Sequence, residues 1–221
     1  MSNEFSLNTR VGPANTADGK GGDLRQGKDG SLIVSQSHGQ YYEQSSRGVL
    51  FCVSGTLTGT TIAAGHVAPP AAGAATLLSI LNPLGSNKNL EIVEGTISHV
   101  SGTPGAGAFA WCMAYQGTAV TANEAVAIKR RLDGAEGGTV ARAWSATTLT
   151  GASVHVITKP FPSAKFAGAL DAASANLSET DFVNGKIVVR PGFMLTLAPP
   201  AAGTTHLVVV SITYAEVDIQ G

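Results

Sequence analysis

The run His206–Ile219, HLVVVSITYAEVDI, decides the fold class. Val208, Val210, Ile212 and Tyr214 fall on one parity, the alternation of a half-buried strand, and the β-branched density opposes a helix. Continuing that parity gives Glu216 and Asp218, whereas Ala215, Val217 and Ile219 lie on the other. The apolar face is therefore expected to switch near Tyr214–Ala215 through a β-bulge.

The same texture extends upstream. SLIVS (Ser31–Ser35), QYYEQ (Gln40–Gln44), GVLFCVSG (Gly48–Gly55) and TLTGTTIAA (Thr56–Ala64) read as short strands punctuated by glycine. ATLLSIL (Ala75–Leu81) runs into the turn cluster NPLGSNKN, and LEIVEGTISHV (Leu90–Val100) follows as a long strand. SGTPGAG interrupts before AFAWCMAY (Ala108–Tyr115), a buried strand. Thr121–Gly134 fits either a helical turn or an irregular strand, and Pro162–Gly185 reads as a small-residue connection with room for a short helix. TVARAWSATTLTG, ASVHVITKPF, KIVVR and PGFMLTLAPP are further strands. Turn signals every eight to twelve residues predict an all-β protein, an antiparallel sandwich or barrel over residues 31–221. Residues 1–30 are polar, rich in Gly, Asn and Asp, and without periodicity, which predicts an extended N-terminal arm.

The hexapeptide APPAAG occurs twice, at Ala68–Gly73 and Ala198–Gly203. Similarity does not extend at constant offset beyond it, and a repeat of that spacing does not fit twice into 221 residues. Proline fixes φ and lacks a donor, so each copy is expected to be a hairpin-type connection entering a buried strand.

Composition narrows the function classes. Hydrophobic residues make up 43% and charged residues only 13%, about half the usual share. A small, neutral surface suits a protein that works against other subunits. With 14 basic and 15 acidic residues, the chain lacks the concentrated positive surface that nucleic acid requires. Lys129-Arg130-Arg131 reads as a solvated strand end. No run approaches a membrane span and residues 1–30 hold no apolar signal region, so assembly in a reducing cytoplasm is expected, with Cys52 and Cys112 as buried free thiols.

Catalytic motifs are absent at useful specificity. GAGAFA (Gly105–Ala110) matches a dinucleotide loop only loosely and is followed by a strand, not a helix. GKGG (Gly19–Gly22) lacks the phosphate-loop spacing, and GASVH (Gly151–His155) lacks the second glycine of a nucleophile elbow. His38, His66, His99, His155 and His206 show no metal-ligand spacing. Glycoside hydrolysis needs two carboxylates across a cleft, and Glu91, Glu94, Asp171, Glu179, Asp181, Glu216 and Asp218 are the available acids. Tyr41, Tyr42, Trp111, Trp144 and Tyr214 are the candidate aromatic platforms for a glycan, with Trp111 expected in the core. No enzyme activity, cofactor or metal is expected.

Asp29-Gly30, His38-Gly39, Tyr41-Tyr42-Glu43 and Arg47-Gly48 through Phe51, with the later turn Asn82-Pro83, Gly85 and Lys88-Asn89-Leu90, resemble a pattern in small structural proteins of tailed bacteriophages. The resemblance covers residues ~27–100. It implies a virion protein of the head decoration (cement) type with a jelly-roll-like fold, a homotrimer clamping the major capsid protein on the capsid surface, assembled in the host cytoplasm. The expected subunit and capsid contacts are Arg10, Arg25, Tyr41, Tyr42 and Arg47. A receptor- or glycan-binding head fibre or tail spike component is the alternative.

Overall fold

In the computed structural model, residues 9–10, 24–25, 39–62, 75–103, 107–116, 120, 128–134, 138–148, 153–166, 178–199 and 206–219 are described. The chain divides into two compact units, Met1–Tyr42 and Glu43–Gly221. In the first, β1 (Thr9–Arg10) and β2 (Leu24–Arg25) pair in parallel. A short helix, α1 (Tyr42–Ser46), follows.

The second unit is an antiparallel two-sheet sandwich. One sheet has the order β10 (Val156–Phe166), β7 (Gly107–Tyr115), β13 (Phe193–Ala198), β5 (Ala75–Leu81), β9 (Arg142–Thr148). The other runs β11 (Ser178–Phe182), β6 (Lys88–Ser101), β14 (Leu207–Asp218), β3 (Leu50–Ser54), β8 (Ile128–Arg131). Within it β12 (Val188–Val189) pairs with β6, and β4 (Thr60–Thr61) with β14. Three pairings are nested as in a jelly roll: β5 with β13, β6 with β11, β7 with β10. The innermost rung departs from that scheme, because β8 pairs with β3 and β9 with β5.

Inward residues of both sheets form one core, including Phe51, Val53, Leu78, Ile80, Ile97, Phe109, Trp111, Leu195, Leu197, Val210 and Ile212. Trp111 on β7 reaches across to Gly95 on β6, where a Cβ would stand 2.4 Å from the indole. A side chain at 95 would displace the ring, so the glycine is required for the sheets to close here.

Inward and outward residues of β14 alternate as expected from Leu207 to Ile212, but Thr213–Glu216 are all buried, and the bulge lies on the neighbouring strand. The register against β6 shifts between Thr213 and Tyr214, pairing Glu94 and then Ile92, so the extra residue is Val93. Two consecutive residues of β6, Ile92 and Val93, are consequently buried. Against β3 the register of β14 is unbroken. The predicted face switch does not occur. Glu216 keeps the parity of Tyr214 and is buried, while Val217 and Ile219 are exposed.

Other local expectations change as well. Tyr42, Glu43 and Gln44 of QYYEQ are helical, with Arg47 N–H donating to Glu43 O at 3.0 Å. Among the described residues of TLTGTTIAA, Thr60–Thr61 is the strand and Thr56–Gly59 closes as a turn with Gly59 at φ 93°; Ala63 and Ala64 lie outside the described residues. Residues 121–127 lie outside the described set, and 128–131 are strand. Of the connection at 162–185, residues 162–166 continue β10 and 178–182 form β11; 167–177 lie outside the described residues, as does SLIVS.

Apart from Ala198 and Pro199, both APPAAG copies lie outside the described residues, but their flanks are placed. The first links β4 to β5 and the second β13 to β14, so each joins one sheet to the other and neither is a hairpin. Their ends are adjacent: Thr61 pairs with Leu207 on one sheet, and Leu78 with Leu197 on the other.

Candidate functional site

Of the expected contact residues, Arg10, Arg25, Tyr41 and Tyr42 belong to the first unit and Arg47 to the second. Arg10 and Arg25 are register partners in the β1–β2 pair. Tyr41 is half-buried just before α1, and Tyr42, the first residue of α1, is exposed. Arg47 is exposed and bridges Glu43 at 2.6 Å, one helical turn away. Of the other candidate platforms, Trp111, Trp144 and Tyr214 are fully buried, so none offers a face to a sugar.

An exposed apolar corner is built elsewhere, on the β5–β6 turn. Asn82 is its frame: Nδ2 donates to Lys88 O at 2.7 Å and Val189 O at 2.8 Å, and Oδ1 accepts from Ser86 Oγ at 2.6 Å. Gly85 and Asn87 take positive φ, 80° and 55°, which turns the chain back and leaves Leu84 in solvent. Leu84 and Tyr115 close over Gly192, whose missing Cβ would fall 2.8 Å from the Tyr115 ring and 3.0 Å from Leu84. Tyr115 stands edge-on to Phe193 at 5.3 Å between centroids. The patch is fixed by backbone: Gly192 N–H donates to Asn82 O, and Gln116 N–H to Gly192 O. The Asn-Pro-x-Gly signal located the turn in the sequence; nothing there brought Tyr115 and Phe193 to it.

The titratable groups inside the sandwich are held by hydrogen bonds and ion pairs. Asp181 on β11 is buried; its Oδ2 accepts from Trp111 Nε1 at 2.8 Å, and both oxygens accept from Lys159 Nζ, at 2.7 and 2.6 Å. Neighbouring Glu179 is held above its ordinary range by burial and by the charge of Asp181. Glu216 Oε1 accepts from Val140 N–H at 2.7 Å and Thr139 Oγ1 at 2.5 Å, and Lys88 lies 3.4 Å from Oε2.

On the outer face of the five-stranded sheet, Ser79, Thr196 and His155 form a buried chain, with hydroxyl oxygens 2.6 Å apart and Thr196 Oγ1 3.1 Å from His155 Nε2. Burial pushes His155 down to about 4. His206 is buried between His99, at 5.0 Å, and Phe109, and falls to about 4 through burial and the charge of His99. Both thiols are free; burial raises Cys112 to about 11 and also raises Cys52, which disfavours the nucleophilic thiolate. Among the described residues no group of three side chains is arranged to hold a metal ion, and no helix is long and apolar enough to cross a membrane.

No family model, curated protein or solved structure matches this chain.

Proposed function

We propose that the protein is a non-enzymatic virion component of tailed bacteriophages, a head decoration protein that binds the major capsid protein and stabilises the shell. One coincidence carries this reading. The turn Asn82-Pro83-x-Gly85-x-x-Lys88-Asn89-Leu90, part of the phage-like pattern, is also the segment that sets Leu84 in solvent against Tyr115 and Phe193. An ion-poor surface with a rigid apolar corner suits burial against another subunit. Such a protein works by adding interface across joints between capsomers, which needs no catalytic group. The test is addition of purified protein to shells stripped of accessory proteins, imaged by electron cryomicroscopy. Density at capsid three-fold or quasi-three-fold positions, lost with Tyr115→Ala, is the expected result; density on the tail alone overturns the reading.

The same corner supports a second reading, a receptor- or glycan-binding virion protein. Tyr115 presents an exposed ring of the kind that stacks on sugars. Saturation-transfer NMR with host surface glycans separates the two, because a decoration protein gives no transfer to them.

A further inference from the structure

From the edge strands of the sandwich, we infer that two copies of this chain associate through the edge formed by Val156–Thr158 of β10 and the residues Val154–His155 that lead into it, in an antiparallel strand pairing about a two-fold axis. In the five-stranded sheet β10 pairs with β7 on one side, and among the described residues no strand pairs with its other side. Val154, Val156 and Ile157 are 61%, 65% and 53% exposed there, three large apolar side chains within four residues. A β-rich, apolar, open edge is the form of surface that recruits another strand.

The occupant follows from charge. A two-fold contact sets each residue near its own counterpart, so it excludes any edge that carries like charges. The edge strand β8 carries Lys129, Arg130 and Arg131, and β11 carries Glu179 and Asp181. Edge strand β9 begins at Arg142, and its Ala143, Trp144 and Ser145 are already buried. Val154–Thr158 holds no formal charge, and its one titratable residue, His155, is buried against Thr196. It is thus the edge whose self-contact buries apolar surface without opposing like charges. Pro160 and Pro162 limit it: neither has an N–H to donate, so pairing stops short of Lys159 and Lys165. The contact is independent of the shell-binding reading and, being two-fold, stands as an alternative to the three-fold association that the resemblance implies.

Analytical ultracentrifugation of the full chain tests the contact without any shell present. The expected mass rises with concentration from 22.4 kDa to twice that value. Val156→Lys and Val156→Glu are each expected to stay monomeric with unchanged circular dichroism, and an equimolar mixture of the two to regain the dimer. Thr158→Pro, which places a ring on the pairing edge, is the second variant should either charged one fail to fold, and is likewise expected to be monomeric. A wild-type monomer at all concentrations up to ~1 mM overturns the inference. So does a mass of three copies, an association insensitive to these variants, or one abolished instead by Arg130→Glu.

Discussion

Trp111 lies against Gly95 across the sandwich, and its Nε1 is tied to Asp181, the residue paired with Gly95 on the adjacent strand. The indole therefore cannot retreat when its neighbour grows. Gly95→Ala is expected to destabilise the protein by about 1–3 kcal/mol through overpacking. In Gly95→Ala/Trp111→Phe the loss is expected to be smaller than the sum of the single changes. Urea denaturation of all three measures this; simple additivity would refute the contact.

The Asp181 carboxylate ties β11 to both β7 and β10, through Trp111 and Lys159. Asp181→Ala is expected to cost about 2–3 kcal/mol, since it strands the indole N–H and leaves an ammonium that can only partly turn to water. Asp181→Asn keeps an acceptor for Trp111 and is expected to cost less. Thermal unfolding followed by tryptophan fluorescence gives the order, and the reverse order contradicts this role.

Glu216 occupies an inward position because β14 keeps its register against β3. Glu216→Ala removes the acceptor of Val140 N–H and is expected to destabilise by about 2 kcal/mol. Glu216→Gln retains that acceptor and is expected to lose less than half as much. Faster hydrogen exchange at Val140 in the Ala variant alone is the residue-level check.

Two histidines set a pH window. His155 and His206 titrate at about 4 in the folded chain, against an ordinary value of 6.5. Between those values the unfolded chain binds more protons than the native one. Stability is therefore retained above pH 6.5 and falls as the pH drops towards 4, by up to about 3 kcal/mol for each group. Denaturation midpoints at pH 7.5, 5.5 and 4.5 are expected to decline in that order. His155→Gln should flatten the slope; an unchanged slope in His155→Gln and in His206→Gln would exclude them as its source.

Much of the sandwich is legible in the chain. Alternating β-branched residues between glycine and proline turns locate β3, β5, β6, β7, β13 and β14 at nearly their observed bounds. QYYEQ failed because its composition suits a strand, while a single turn closed by the Glu43–Arg47 pair suits it better. The corner at Leu84 was half legible: Asn-Pro and Gly mark the turn, but Tyr115 and Phe193 reach it from strands far away in sequence. The prolines of VITKPFP carry an edge-strand signal, although which side of the sandwich they mark depends on the order of strands.

By itself, then, the sequence determined the strand class, the absence of recognisable catalytic spacing, and where the chain turns, because these rest on local periodicity and backbone freedom. Tertiary structure decided which strands are neighbours, and everything following from that. It moved the bulge from β14 to Val93 of β6, held Glu216 inside, and made both APPAAG segments links between sheets. The reason is physical: strand pairing and core closure are long-range choices, fixed by which side chains fit across the sandwich, as Trp111 fits over Gly95.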